Sequence, residues 1–253
     1  MPTPTLGVIP ARYASSRFPG KPLIEIEGKS MIQRVYEQAQ KANCLHKIIV
    51  ATDDDRIFDH VREFGGEAEM TSDQITTGTE RVAVVAEKYP EYDFCINIQG
   101  DLPYIDPQHI DLLGSTLEEQ QGKSIATLVI PVSKPEILTD PKFAKVVLTQ
   151  DFHAMYFSRF AVPYHRDIEN VSDWPATGLY YKHIGIYGFP SQILLKLPKL
   201  SPVNAELAES LEQLRWMGHG FPIKVAITHT ESLPIDTPQD LEKLKEFKEN
   251  NPG

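Results

Sequence analysis

Leu6-Gly7-Val8-Ile9-Pro10-Ala11-Arg12-Tyr13-Ala14-Ser15-Ser16-Arg17-Phe18-Pro19-Gly20-Lys21-Pro22 begins as a short apolar run and becomes, at Pro10, a loop rich in Ser, Gly and Pro. The apolar run reads as a buried first strand. In an open α/β sheet, ligands bind outside the carboxyl ends of the strands, which is where this loop must lie. Its charge is unusual for the chain. Arg12, Arg17 and Lys21 all precede the first acidic residue, Glu25, although the formal net charge of the protein is −10. Loop N–H groups can hold phosphate oxygens, Arg adds a bidentate fork and Lys a point charge. Two readings stand at this point: an anion site, or a surface loop whose basic residues are merely solvated.

Working outward, Met31 to Ala42 carries Met31, Ile32, Val35, Tyr36 and Ala39 at helical spacing. Lys47 to Ala51 reads as a second buried strand. Asp54 to Phe64 reads as a short helix stopped by Gly65-Gly66, and Thr79 to Glu87 as another helix. Phe94 to Ile98 is a strand that ends at Gln99-Gly100-Asp101. This alternation predicts an open, mostly parallel α/β sheet flanked by helices. The middle differs. Ile125 to Val132, Lys145 to Leu148 and Ala154 to Phe157 read as strands with no long helices between them, and their connections hold Pro135, Pro141, Pro163 and Pro175. We read a mixed-sheet excursion over about 133–182 that can carry a subunit contact. Ala205 to Met217 reads as one amphipathic helix and Ile223 to Ile227 as a strand. A last helix starts at Thr237-Pro238, with Leu241, Leu244 and Phe247 on one face.

The chain has 253 residues, 41% of them hydrophobic, enough for one large α/β domain over 1–253. Its acidity disfavours general nucleic-acid binding. Two cysteines, Cys44 and Cys95, make no disulfide framework and point to a reducing, cytoplasmic setting. The longest apolar stretch, near Ile125 to Val132, falls far short of the roughly 18 residues of a membrane span. The N-terminus has no signal-peptide pattern.

Asp101 stands just past a strand, at the carboxyl edge. It could hold Mg²⁺, which binds through one or two carboxylates plus substrate phosphates, or serve as a cap or turn aspartate. Asp53-Asp54-Asp55 has a similar place, but leads straight into a helix and reads as capping. Asp236, before a helix N-terminus, is a second candidate carboxylate or a cap neighbour. Gly28-Lys29-Ser30 ends like a phosphate-binding Walker loop, but position 23 is Leu where that motif needs Gly, so Gly28-Lys29 reads as a turn. His183, Gly185 and Tyr187 share one face of an alternating strand. No CxxC or HExxH pattern suggests zinc.

The blocks IPARYASSRFPGKPL (9–23), VATDD (50–54), TGTER (77–81), INIQGD (96–101), KVVL (145–148), YFSR (156–159), HIGIYGF (183–189), AESLEQLR (208–215) and IDTPQDLE (235–242) closely resemble the 3-deoxy-manno-octulosonate (Kdo) cytidylyltransferases, nearly end to end. The CMP-sialic acid synthetases are similar only more loosely. The resemblance implies a homodimeric nucleotidyltransferase that uses CTP and Mg²⁺ to activate an eight-carbon acidic sugar for lipopolysaccharide biosynthesis. It implies Arg12, Ser15 and Lys21 at the triphosphate, Thr79, Glu80 and Arg81 framing the nucleotide, and Asp101 and Asp236 as metal ligands. It further implies Gln99, Arg159, His183, Tyr187, Glu212 and Gln213 at the sugar acid. Lys21, Arg12 and Asp101 are the residues on which catalysis is expected to depend. The 8-amino analogue or a sialic acid as acceptor, or a silent CTP-binding homologue, are the alternatives. Two departures stand out: Leu102 replaces the usual acid after Asp101, and Pro234 the usual glycine before Ile235.

Overall fold

The computed structural model describes residues 3–14, 18–235 and 237–242. Strand β1 (Thr5–Ala11) is buried along almost its whole length, the signature of a strand covered on both faces. It pairs in parallel with β4 (Lys47–Thr52) on one side and β6 (Phe94–Asn97) on the other. β5 (Ala68–Met70) extends the β4 edge, also in parallel. Beyond β6 lie β10 (Tyr181–Pro190), β7 (Ile125–Pro131) and β11 (Ile223–Ile227), giving the order β11-β7-β10-β6-β1-β4-β5. β10 is antiparallel to both of its neighbours, and β11 runs parallel to β7. The sheet is therefore open and mostly parallel, as the alternation predicts.

Helices α1 (Met31–Ala39), α2 (Asp55–Glu63) and α4 (Pro107–Glu119) pack on one face and α3 (Gly78–Glu87) on the other. Local chemistry sets where they start. Ser30 Oγ accepts the Gln33 N–H, Asp54 that of Arg56 and Thr77 that of Glu80, so each helix opens on a side-chain cap. The hairpin of β2 (Glu25–Ile26) and β3 (Lys29–Ser30) turns through Glu27 (φ 51°) and Gly28 (φ 78°), a two-residue turn with both φ positive. Gly28-Lys29 is thus a turn, as expected.

The excursion holds α5 (Pro135–Thr139), β8 (Lys145–Leu148) and β9 (Ala154–Ser158). β8 joins the main sheet at β10 and carries β9 on its other edge. Val132, Leu138, Trp174 and Tyr180 form a small core of its own beneath it. Seven of the nine large apolar side chains exposed among the described residues lie in 133–182, Phe160, Tyr164 and Met155 foremost.

One expectation fails. Ala205 to Met217 is not a single helix but α7 (Asn204–Glu209) and α8 (Gln213–Gly218), broken where Ser210 turns left-handed at φ 50°. Two further short elements are α6 (Ser191–Leu194), after β10, and a helix that starts at Pro238 and is described to Glu242. Thr237 N–H and Oγ1 both donate to Asp240 Oδ2 at 2.9 Å, which fixes that start. Leu244 and Phe247 lie outside the described residues. No described helix is long and apolar enough to cross a membrane.

Candidate active site

The chain winds from β1 outward through β4 to β5, then returns to β6 on the other side of β1. The crossovers diverge there and leave a crevice beyond the carboxyl ends of β1 and β6. Gly100 lets the two strand exits touch, since a Cβ on it would stand 2.8 Å from the Pro10 carbonyl oxygen. The basic loop, Gln99, Asp101 and the N-terminus of α3 converge at this crevice.

The loop is closed by its own backbone. Gly20 N–H donates to the Tyr13 carbonyl at 3.0 Å, and Gly20 (φ 71°) leads into a 3₁₀ turn over Lys21–Leu23. The Tyr13 ring lies against Gly20 on one side, and the Arg56 guanidinium sits 3.3 Å from its centroid. Lys21 Nζ then reaches Asp101 Oδ2 at 3.0 Å. Arg12 Nε lies 3.3 Å from Asp53 Oδ2, and Arg81 Nη2 meets the same oxygen at 2.8 Å. Arg81 is wholly buried and also donates to Thr71 Oγ1 and the Ile75 carbonyl. It therefore frames the crevice from behind, by holding the carboxylate that orients Arg12. Asp53, read from sequence as a capping residue, is that bridge, and Asp54 alone caps α2. Glu80 sits in the first turn of α3, its N–H held by Thr77. Ser15 and Arg17 lie outside the described residues.

A cleft lined by Pro10, Arg12, Lys21, Gln99, Gly100 and Asp101 meets a second one, of about 250 Å³, at Gln99 and Asp101. The second is bounded by Phe143, Lys182, His183, Glu231 and Pro234. Asp101 thus stands at a junction of two compartments. Its carboxylate is a hard oxygen donor of the type Mg²⁺ takes. The Ile235 N–H donates to the Asp101 carbonyl at 2.9 Å. Asp236 lies outside the described residues, but its covalent neighbour is thereby tied to Asp101. Among the described residues, Asp101 is a carboxylate at this junction of the kind that could hold an ion shared with a polyphosphate. Leu102, the departure from the family acid, is buried and joins the apolar core instead.

His183 Nε2 lies 3.0 Å from Thr127 Oγ1, whose own proton goes to the Ile186 carbonyl at 2.8 Å. The imidazole Nε2 is therefore the donor, and Nδ1 keeps a lone pair. Phe157 and Tyr187 enclose the ring, and burial pushes its pKa down to about 3. Tyr187 packs on His183 from one side and on Trp216 of α8 from the other. Its hydroxyl is buried without a hydrogen-bond partner, as is Gln213 Nε2. Orphaned buried donors cost about 1–3 kcal/mol each, a cost that a polar ligand can relieve. Glu212 Oε2 accepts the Thr79 hydroxyl at 2.7 Å, which couples the start of α3 to the start of α8, and burial raises the Glu212 pKa.

Of the expected sugar set, Gln99 and His183 line the 250 Å³ cleft, whereas Tyr187, Glu212, Gln213 and Arg159 do not. Arg159 donates through its guanidinium to the carbonyls of Glu209 (2.6 Å), Ser210 (3.1 Å) and Pro141 (2.9 Å). Its N–H donates to Glu209 Oε2 at 2.8 Å. Arg159 braces the left-handed break that sets Glu212 and Gln213 at the head of α8, and it does not line the 250 Å³ cleft. Sequence reasoning missed Asp53, Thr127, Lys182 and Glu231. Only Asp53, first of an acidic run after a strand, carried a visible signal.

The model of the cytidylyltransferase family matches residues 6–224. A 3-deoxy-manno-octulosonate cytidylyltransferase of Parabacteroides distasonis is 47% identical over 97% of this chain and 98% of its own. An 8-amino-3,8-dideoxy-manno-octulosonate cytidylyltransferase of Shewanella piezotolerans is 46% identical over 92% of this chain and 94% of its own. Among solved structures, a CMP:2-keto-3-deoxy-manno-octonic acid synthetase complexed with CTP superposes with a TM-score of 0.90. It is 38% identical, over 98% of this chain and 99% of that one. The junction at Asp101, the basic loop beside it and these full-length similarities agree, and the chain belongs to the 3-deoxy-manno-octulosonate cytidylyltransferase group of the cytidylyltransferase family.

Proposed function

We propose that the protein transfers CMP from CTP to the anomeric hydroxyl of 3-deoxy-D-manno-octulosonate, releasing pyrophosphate. The observation that carries this reading is Asp101, which joins the basic-loop cleft to the cleft bounded by Lys182 and His183. In this reading the triphosphate lies on the Arg12–Lys21 side, against the N-terminus of α3. The anomeric oxygen attacks the α-phosphorus, the bond to the β-phosphate bridging oxygen breaks, and the hydroxyl proton leaves to solvent. Little covalent work falls to the protein. Its task is positioning and charge stabilisation.

Arg12, aimed by Asp53 and Arg81, and Lys21 offset the negative charge that gathers on the departing pyrophosphate. Asp101 and Asp236 are the residues that would hold Mg²⁺. A bound Mg²⁺ supplies neutralisation of phosphate oxygens and a lowered pKa for the attacking hydroxyl. Tyr187 and Gln213, with their orphaned donors, Gln99, and the neutral His183 with its free Nδ1 take the polar groups of the sugar acid. Glu212 links that set to the nucleotide side through Thr79. Arg159 serves the same set by holding the α7–α8 break.

The unpaired cysteines suit a reducing compartment, and we assign the reaction to the cytoplasm, in supply of activated sugar for lipopolysaccharide. We also assign a homodimer, supported by the apolar surface of the excursion. The test of the reaction is pyrophosphate release from CTP and Mg²⁺ with Kdo, its 8-amino analogue and sialic acid side by side. Kdo is expected to give the highest kcat/KM. Release with sialic acid alone, or CTP binding with no release for any acceptor, would refute the assignment.

A further inference from the structure

We propose that Lys182 and Glu231 read the far end of the acceptor and select a sugar acid that carries a hydroxyl there over one that carries an ammonium. The inference rests on the reaction proposed above. The transfer chemistry fixes one end of the acceptor: its anomeric oxygen must meet the α-phosphorus near Asp101, where the two clefts join. Phe143, Lys182 and Glu231 line the acceptor cleft alone and take no part in the basic-loop cleft. They bound the space that remains for the tail of an eight-carbon sugar anchored at Asp101.

The pair joins a mostly shielded lysine to a half-exposed glutamate at the rim of the cleft. Lys182 precedes His183 on β10, where it is held in register between Ile130 and Lys145. Its ammonium is mostly shielded, makes an ion pair with Glu231, and lies 5.2 Å from the Phe143 ring centroid. Glu231 rides on a strap that leaves β11 at Ile227 and ends at Ile235. The strap is pinned on both sides of Glu231. Thr228 N–H donates to the Val129 carbonyl at 2.9 Å, and the buried His109 engages Thr228 Oγ1 (3.0 Å) through Nε2 and Ser232 Oγ (3.3 Å) through Nδ1. Ile235 N–H is bound to the Asp101 carbonyl. These bonds fix the course of the strap on both sides of Glu231, and so hold its Cα opposite Lys182.

A terminal hydroxyl suits this wall. It accepts from the Lys182 ammonium and donates to the Glu231 carboxylate. A terminal ammonium faces Lys182 as a like charge and finds Glu231 already paired. Overall similarity does not make this choice, since relatives named for the two acceptors are 47% and 46% identical to the chain. The discrimination must come from a few local contacts.

The experiment is the ratio of kcat/KM for the 8-amino acceptor to that for Kdo, in the wild type and three variants, with the KM for CTP as an internal control of fold. In Lys182→Met the like charge is gone and Glu231 is free to pair with the ammonium, so the ratio should rise at least fivefold. In Glu231→Gln it should fall, and in the charge-keeping Lys182→Arg it should stay within twofold of wild type. A ratio that rises less than fivefold in Lys182→Met, or rises in Glu231→Gln, overturns the inference. If Lys182→Met does not fold, the Glu231→Gln and Lys182→Arg arms decide. A wild type inert with both acceptors overturns the reaction and the inference together, while an active wild type with an unmoved ratio overturns the inference alone.

Discussion

His183 shows how a single side chain combines structure and site. Held by Thr127 and enclosed by Phe157 and Tyr187, it stays neutral because burial opposes the imidazolium. The sign of the consequence follows from linkage. The unfolded chain takes up a proton near pH 6.5, whereas the folded protein resists protonation until about pH 3. The contribution of this group to stability is therefore complete above pH 6.5 and is lost as pH falls through the window from 6.5 toward 3. At pH 5 the loss should be about 1–2 kcal/mol. Urea unfolding at pH 7.5 and pH 5 measures it: the gap between the two pH values should shrink by that amount in His183→Leu. An unchanged gap would show that the ring titrates normally. At the residue scale the sequence set Lys21 and Asp101 at the same sheet edge, and the two do meet. Asp53 was not legible as part of the site, because an aspartate before a helix reads as a cap, and only the fold brings Arg81 to it.

At the scale of elements, the break between α7 and α8 decides where Glu212 and Gln213 stand. The stretch from Ala205 to Met217 keeps helical spacing across the break, so no local signal predicts it. The cause lies fifty residues away in Arg159, whose guanidinium collects carbonyls that a continuous helix would have used internally. Arg159→Ala should therefore lower thermal stability by about 2–8 °C, the effect of roughly 1–2 kcal/mol in a chain of this size. It should also raise KM for the acceptor several-fold more than KM for CTP. Thermal melts and steady-state kinetics check the pair of effects. Equal changes in both KM values would instead point to general loosening of the site. The parallel elements of the first hundred residues were readable because buried strands and amphipathic helices have distinct periods. The bracing between elements was not, because it depends on partners remote in sequence.

At the scale of the whole molecule, the excursion gathers most of the large apolar side chains exposed among the described residues. Phe160 and Tyr164 are 78% and 76% exposed, and Met155 is 58% exposed on the outer strand β9. Apolar surface gathered on one segment marks an interaction face. Sedimentation velocity at micromolar concentration should show a dimer, and Met155→Glu with Phe160→Asp should shift it toward monomer. A wild-type monomer would refute the dimer. The central claim is that the junction at Asp101 brings CTP and a sugar acid together for transfer. Phosphorus NMR of wild type and Asp101→Asn, each with CTP, Mg²⁺ and Kdo, tests it most directly. The wild type should form a sugar-linked CMP phosphodiester and pyrophosphate in equal amounts. The variant should do so at least about a hundredfold more slowly, within the range of removing one electrostatic element of a transfer site, and melt within a few degrees of wild type. Near-normal turnover in Asp101→Asn, or pyrophosphate without the sugar adduct, would contradict the account.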